Sequence, residues 1–306
     1  MIATINGSYP WTTREAPDPL DGAALDRITR DAIDAQIRAG LDLVTDGLVR
    51  RTDPVSQVAE GLEGVEPGER RGGLPGNGGD YRAVVVRSEI AWKKPFLTED
   101  FLFAKAGCAR EVKPVLLGPY TLSRLAEDHA YDDRMALAMG FAIALNLELK
   151  GLQRAGATWI QVDEPAILLA PEDFPTFTRL WEVLGRGVTL KLCLHLQGGD
   201  LRGMYPGIAR LKRLACLSLD CVRGRTSLDQ LRETPLPEGL LLGLGLVDGR
   251  SETVESQEEM ASLLQSLPGL PPPDRIVLGT AGDLGGLTPA VAFAKLRSLA
   301  GARDRM

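Results

Sequence analysis

Apolar runs of strand length alternate along this chain with segments of helical period. Runs at Ile2–Ile5, Leu41–Thr45, Pro114–Leu117, Trp159–Val162, Thr189–His195, Cys216–Leu219, Leu240–Leu246 and Arg275–Leu278 predict eight strands. Most are continuous, as strands covered on both faces should be. Between them, Ala23–Ala39 sets Leu25, Ile28, Ala32, Ala35 and Ala39 on one helical face. Met135–Ala155 reads as a long helix stopped at Gly156. Thr253–Leu267 opens with Glu255, Glu258 and Glu259, and Thr288–Ala300 opens with a threonine cap and a proline. Eight strand–helix units in 306 residues predict a single α/β domain, a (β/α)8 TIM barrel spanning residues 1–306. The alternative is an open doubly wound sheet, weakened because no G-x-G-x-x-G follows the first strand.

One segment breaks the alternation. Gly61 to Gly79 is too rich in glycine and proline for regular structure, and Arg82–Trp92 then reads as one or two added strands. An insertion at about residues 53–95, after the second strand, suits either a wall of the active site or a plain surface loop.

Composition narrows the function classes. The net charge of -6 argues against a nucleic-acid binder. No run of about 18 apolar residues and no leader pattern is visible, so a membrane role is not expected and the cytoplasm is the expected compartment. The four cysteines, Cys108, Cys193, Cys216 and Cys221, form no C-x-x-C pair. Cys193 and Cys216 sit in apolar runs as small hydrophobes do, whereas Cys221 directly follows Asp220.

In a barrel of this kind, polar residues at the carboxyl ends of strands face the active site. Asn6, Gly7 and Ser8 end the first strand, and Asp46, Arg50, Arg51 and Asp53 follow the second. Tyr120 follows the third; Gln161, Asp163 and Glu164 end the fourth; His195 and Gln197 end the fifth. Asp220, Cys221 and Arg223 follow the sixth, Asp248 and Arg250 the seventh, and Asp283 the eighth. Asp163 and Glu164, stopped by Pro165, are adjacent carboxylates suited to bind an ammonium or to act as acid or base, and helix capping is their other use. A lone His195 is equally well a hydrogen-bonded structural residue. Arg223 and Arg250 match a carboxylate or phosphate.

Four segments then carry a resemblance: Thr4-Ile5-Asn6-Gly7-Ser8-Tyr9-Pro10, Asp46-Gly47 with Arg50-Arg51-Thr52-Asp53, Leu117-Gly118-Pro119-Tyr120-Thr121, and Gln161-Val162-Asp163-Glu164-Pro165-Ala166. In this order they resemble cobalamin-independent methionine synthase. Leu219-Asp220-Cys221-Val222-Arg223 and Leu244-Gly245-Leu246-Val247-Asp248-Gly249-Arg250-Ser251 look more like that enzyme's zinc-free amino-terminal barrel. The resemblance runs from Thr4 to about Leu296. It implies a (β/α) barrel, methyl transfer from a methylated folate or corrinoid to a thiol such as homocysteine, and a zinc ion that holds the thiol. It also implies that Asn6, Gly7, Ser8 and Asp163 cradle an amino-acid-like substrate.

The sequence departs from the family at the metal. His195 stands at the histidine position, but Gln197 replaces one cysteine, Asp220 the glutamate, and no cysteine falls near Asp283-Leu284-Gly285. The ligand set left by the resemblance is His195, Asp220 and Cys221, which lacks the usual two thiolates. Leu48 takes the place of a substrate-facing acid, and Arg250 that of a histidine.

The expected function is therefore a methyltransferase with Asp163, Glu164 and Asp220 as catalytic residues. Its substrate contacts are Asn6, Gly7, Ser8, Tyr120, Gln161, Asp163, Arg223 and Arg250, and a protein partner could supply the methyl group. The alternatives are a lyase or hydrolase on a small anionic substrate with Asp163 or Glu164 as acid/base, and a non-catalytic zinc-free binding barrel.

Overall fold

A computed structural model describes residues 1–11, 22–51, 53–267 and 269–306. Its center is a seven-stranded parallel sheet built from β1 (Ile2–Ala3), β6 (Val115–Leu117), β8 (Trp159–Asp163), β9 (Lys191–Leu196), β10 (Leu214–Asp220), β11 (Leu241–Val247) and β12 (Ile276–Thr280), in the order β1-β12-β11-β10-β9-β8-β6. At the open side, β2 (Leu43–Val44) pairs in parallel with β5 (Glu111–Val112), and a single bridge joins Leu43 to Thr4. Each of the eight expected apolar runs overlaps one of these strands, with β5 just ahead of β6 on the same stretch of chain.

Parallel strands need crossovers, and helices supply most of them. They are α1 (Gly22–Arg38), α2 (Thr98–Ala106), α3 (Pro119–Leu125), α4 (Arg134–Arg154), α5 (Phe174–Leu184), α6 (Thr226–Glu233), α7 (Gln257–Ser266) and α8 (Pro289–Asp304). The connection from β9 to β10 contains one helical turn, Ile208–Arg210. Its sequence, with Gly198, Gly199, Gly203, Pro206 and Gly207, cannot sustain a longer helix.

Caps set the helix starts. Asp133 accepts from Met135 N at 3.0 Å to begin α4, and Thr288 accepts from Val291 N at 3.3 Å to begin α8. The expected start of α7 at Thr253 is corrected: Ser256 caps it by accepting from Glu259 N at 3.3 Å. Glu255 is drawn away by Lys295, a fully buried lysine on α8 that donates to both its carboxylate oxygens at 2.9 Å. Helix α4 has the length and hydropathy of a membrane span, but 67% of that window is buried inside the protein, where it packs on α3, α5 and the hairpin described next.

The insertion is more regular than its composition suggests. Leu62–Arg71 forms β3 and Tyr81–Trp92 forms β4, an antiparallel hairpin with Leu62 opposite Trp92 and Arg71 opposite Tyr81. A two-residue β7 (Glu127–Asp128) extends it on the β4 side. The expectation of an irregular Gly61 to Gly79 is therefore corrected for its first half. β3 is the edge strand, so Pro67 deprives no neighbor of a partner, and Gly64 (φ 78°) sits at a register shift where a β-bulge needs it. The buried Glu148 of α4 fastens the hairpin's return to the sheet, accepting from Trp92 Nε1 at 2.8 Å and from the backbone of Phe96 and Leu97 at 3.1 and 2.9 Å.

Alternation along the strands divides the side chains between two faces. The outer face joins the helices in one large core. The inner face begins with a small apolar cluster of Leu43, Trp159, Cys193, Cys216 and Val277. Farther toward the carboxyl ends it turns polar, and the candidate functional residues lie there.

Candidate active site

The inner face carries a buried hydrogen-bond network. Lys113, between β5 and β6, is 1% exposed, and its Nζ donates to Gln161 Oε1 at 2.6 Å and to Asn6 Oδ1 at 3.1 Å. Gln161 Nε2 donates onward to Asp163 Oδ1 at 2.7 Å. Asn6 Nδ2 donates to Thr280 O at 2.9 Å and to Ser218 Oγ at 3.3 Å, and Ser218 Oγ meets His195 Nδ1 at 3.0 Å. Strand register brings these groups together: Asp163 is opposite His195, and His195 is opposite Ser218.

Two cavities open above this network. One of about 370 Å³ is lined by Asp163, Arg51, Ser8, Leu48 and the hairpin-tip residues Leu74 and Pro75. The other, about 460 Å³, is lined by Arg223, Arg250, Asp220, Asp248 and Glu252. Asn77, Gln197, Asp283 and Gly286 line both, so the hairpin tip stands between them. The tip is fastened to the mouth: Gly76 O accepts from Arg250 Nη2 at 2.7 Å and Arg223 Nη1 at 3.4 Å, and Asn77 Nδ2 donates to Asp283 Oδ2 at 2.9 Å. The segment first read as wall or loop is thus part of the mouth.

Asp163 is the titratable group best placed for chemistry. Burial pushes its carboxyl up to about 7; the Gln161 hydrogen bond and the Lys113 and Arg51 charges oppose that rise, while Asp283 adds to it. Glu164, its neighbor, points the other way and is 1% exposed. It accepts from Tyr120 N at 3.0 Å and Thr121 N at 2.7 Å, pinning the start of α3, although burial also raises it to about 7. Glu164, expected to be catalytic, lines neither cavity, and its contacts anchor the start of α3.

Asp220, which lines the second cavity, and Tyr120, which lines neither, are both tied to the framework of the mouth. Asp220 spends Oδ1 on Val222 N and Arg223 N at 2.9 and 3.0 Å and Oδ2 on Gly198 N at 3.0 Å, holding two turns of the rim. Tyr120, expected to touch substrate, is 2% exposed; its hydroxyl donates to Asp173 at 2.8 Å and its ring meets Phe177 edge-on. The Asn6-Gly7-Ser8 turn, by contrast, lies at the mouth. Asp283 Oδ1 accepts from Ser8 N at 2.8 Å and Ser8 Oγ at 3.1 Å, and Gly7 (φ 109°) leaves no room for a Cβ against Asp283.

The residues present do not fit a zinc ion. Among the described residues, no three His, Cys, Asp or Glu side chains converge as a metal group. Burial, followed by the Lys113 charge, lowers His195 to about 3, and its Nε2 has no hydrogen-bond partner among the described residues. Cys221 turns into the hydrophobic core, where burial raises its thiol to about 12, so it offers no thiolate. The expected set of His195, Asp220 and Cys221 is not assembled.

Lys113 and Ser218 were missed by sequence reasoning. Lys113 breaks an apolar stretch, Val112-Lys113-Pro114-Val115, but the predicted strand began one residue too late to include it. Ser218 stood inside a predicted strand without comment.

An α/β protein with a parallel sheet and a polar mouth at the strands' carboxyl ends is thus defined by fold and site. The chain belongs to the cobalamin-independent synthase family: that family's catalytic domain matches residues 2–302. Its sequence is 29% identical to the methionine synthase of Saccharolobus solfataricus over 98% of this chain and 92% of that one. It is 30% identical to the methionine synthase of Sulfolobus acidocaldarius over 87% and 80%. Among solved structures, the B12-independent methionine synthase from Shewanella sp. W3-18-1 in complex with selenomethionine superposes with a TM-score of 0.87 at 24% identity, covering 99% of this chain and 96% of that one. A methyltransferase from Methanosarcina mazei gives 0.65 at 14% identity, covering 99% and 94%.

Proposed function

We propose that this chain is a methyltransferase that moves a methyl group from a methylated folate or corrinoid to a small amino-acid thiol, with Asp163 accepting the thiol proton. The observation that carries the reading is Asp163 itself, a carboxyl held at about 7 beside a cavity of about 370 Å³. A base is most effective when its pKa lies near the working pH. Ser8, Arg51 and Asp53 line the acceptor's cavity, and the buried Asn6 and Gln161 lie in the network behind it. The thiol gives its proton to Asp163, sulfur forms a bond to the methyl carbon, and the donor's bond to that carbon breaks, with the electron pair leaving on the donor. The names of the sequence relatives and the selenomethionine in the Shewanella structure support an amino-acid acceptor.

The pairing of β1, β2 and β5 supports closure of the sheet as an eight-stranded barrel around this site, in one domain with the hairpin as its insertion. Arg223 and Arg250 line the second cavity, which suits a carboxylate on the methyl donor. The test is methyl transfer from methyltetrahydrofolate or methylcobalamin to homocysteine by the purified protein. Methionine formation is expected; its absence with both donors would overturn the reading and favor a lyase or hydrolase that uses Asp163.

Because the donor set does not fit zinc, dialysis against a chelator is expected to leave the melting temperature within about 1 °C, since a bound metal stabilizes only the state that binds it. Stoichiometric zinc in the undialysed protein, with a large fall in melting temperature on its removal, would contradict this.

A further inference from the structure

We propose that Lys113 is a positioning residue for Asp163, acting through the Gln161 amide that lies between them. The inference rests on Asp163 as the proton acceptor. A lysine donates hydrogen bonds and accepts none, so a partner amide must present its oxygen to it. Lys113 Nζ meets Gln161 Oε1 at 2.6 Å, which turns the amide's NH2 toward Asp163, where Nε2 donates at 2.7 Å. Were the amide reversed, it would present oxygen to the carboxylate and NH2 to the lysine, two repulsive contacts in a buried site.

The same ammonium fixes a second branch. Asn6 Oδ1 accepts from Lys113 at 3.1 Å, so Asn6 Nδ2 donates to Ser218. Ser218 Oγ lies in turn 3.0 Å from Nδ1 of His195. One buried lysine therefore sets the orientation of two side-chain amides, Gln161 and Asn6. Burial opposes its charge, and that cost is not met by any salt bridge of its own among the described residues.

Lys113 ahead of β6, Gln161 on its own strand, Arg51 after β2 and Asp283 after β12 act on Asp163, and Glu164 with Cys193 and His195 of β9 are its other titratable neighbors. Lys113 and Gln161 both favor the ionized carboxylate, so removing either raises the pH at which Asp163 titrates.

The test is carboxyl 13C NMR of aspartate-labelled protein across pH, with the Asp163 resonance assigned by its loss in Asp163→Asn. Lys113→Met is expected to raise the Asp163 midpoint by about one unit, and Gln161→Met to raise it by a smaller amount. A folded Lys113→Met protein with an unmoved midpoint would overturn the proposal. If Lys113→Met does not fold, Gln161→Met decides: a raised midpoint supports the link and an unchanged one overturns it. The resonance needs no substrate, so a raised midpoint in a protein that transfers no methyl group would remove the proposed reaction and leave the Lys113–Asp163 link standing.

Discussion

Asp163→Asn is expected to lower methyl-transfer turnover by at least about 100-fold, the usual loss when a general base is removed, and to make the folded protein more stable above pH 7. The two effects have one cause. Burial raises the Asp163 carboxyl from its ordinary 3.8 to about 7. A raised carboxyl favors the fold fully only below its unfolded pKa, and that advantage is lost as pH rises through the folded value. The native protein should therefore lose stability between about pH 4 and pH 7, and the Asn variant should show a smaller decline, the part that Glu164 contributes. A shift of this size sets an upper bound of about 4 kcal/mol, reduced because Asp163 borders an open cavity; a gain of about 1–2 kcal/mol is expected. Asn keeps an acceptor for Gln161 Nε2, so the network survives the change. Urea unfolding at pH 5 and pH 8 measures the difference, and equal stabilities of the two proteins at pH 8 would contradict the assigned burial.

Glu164→Ala should show the opposite pattern, a large loss of stability. It leaves the backbone N–H groups of Tyr120 and Thr121 buried without their acceptor, at about 1–3 kcal/mol each. It also removes a negative charge from the start of α3. A total of about 3 kcal/mol is expected, with Glu164→Gln recovering part of it through its remaining oxygen. Urea unfolding measures the loss. If Glu164→Ala were instead as stable as the parent but inactive, the catalytic role first read from the sequence would stand.

These adjacent carboxylates mark how far the sequence could be read. That a carboxylate belongs at the end of this strand followed from an apolar run ended by Asp163-Glu164-Pro165. Which one faces the cavity depends on strand parity: Asp163 shares a face with Trp159 and Gln161, and Glu164 does not. The eight strands were legible because burial on both faces requires continuous apolar runs, and that constraint is local. The capping role of Asp220 was not legible, because one of its partners, Gly198 N, lies 22 residues away. The hairpin strand β3 was hidden for a different reason: an edge position and a bulge tolerate Pro67 and Gly64, which count against a strand elsewhere. The short connection after β9 is legible in its glycines and Pro206, which disfavor a helix there.

The central proposal is that Asp163 serves as base without a zinc-bound thiolate. The most direct measurement is the pH–rate profile of methyl transfer to homocysteine by chelator-treated protein, compared with Asp163→Asn. The expected result is a rate that rises through about pH 7 in the parent, as Asp163 loses its proton, and a variant in which that rise is gone. Activity that disappears on chelation and returns with zinc, with the same rise in both proteins, would contradict it.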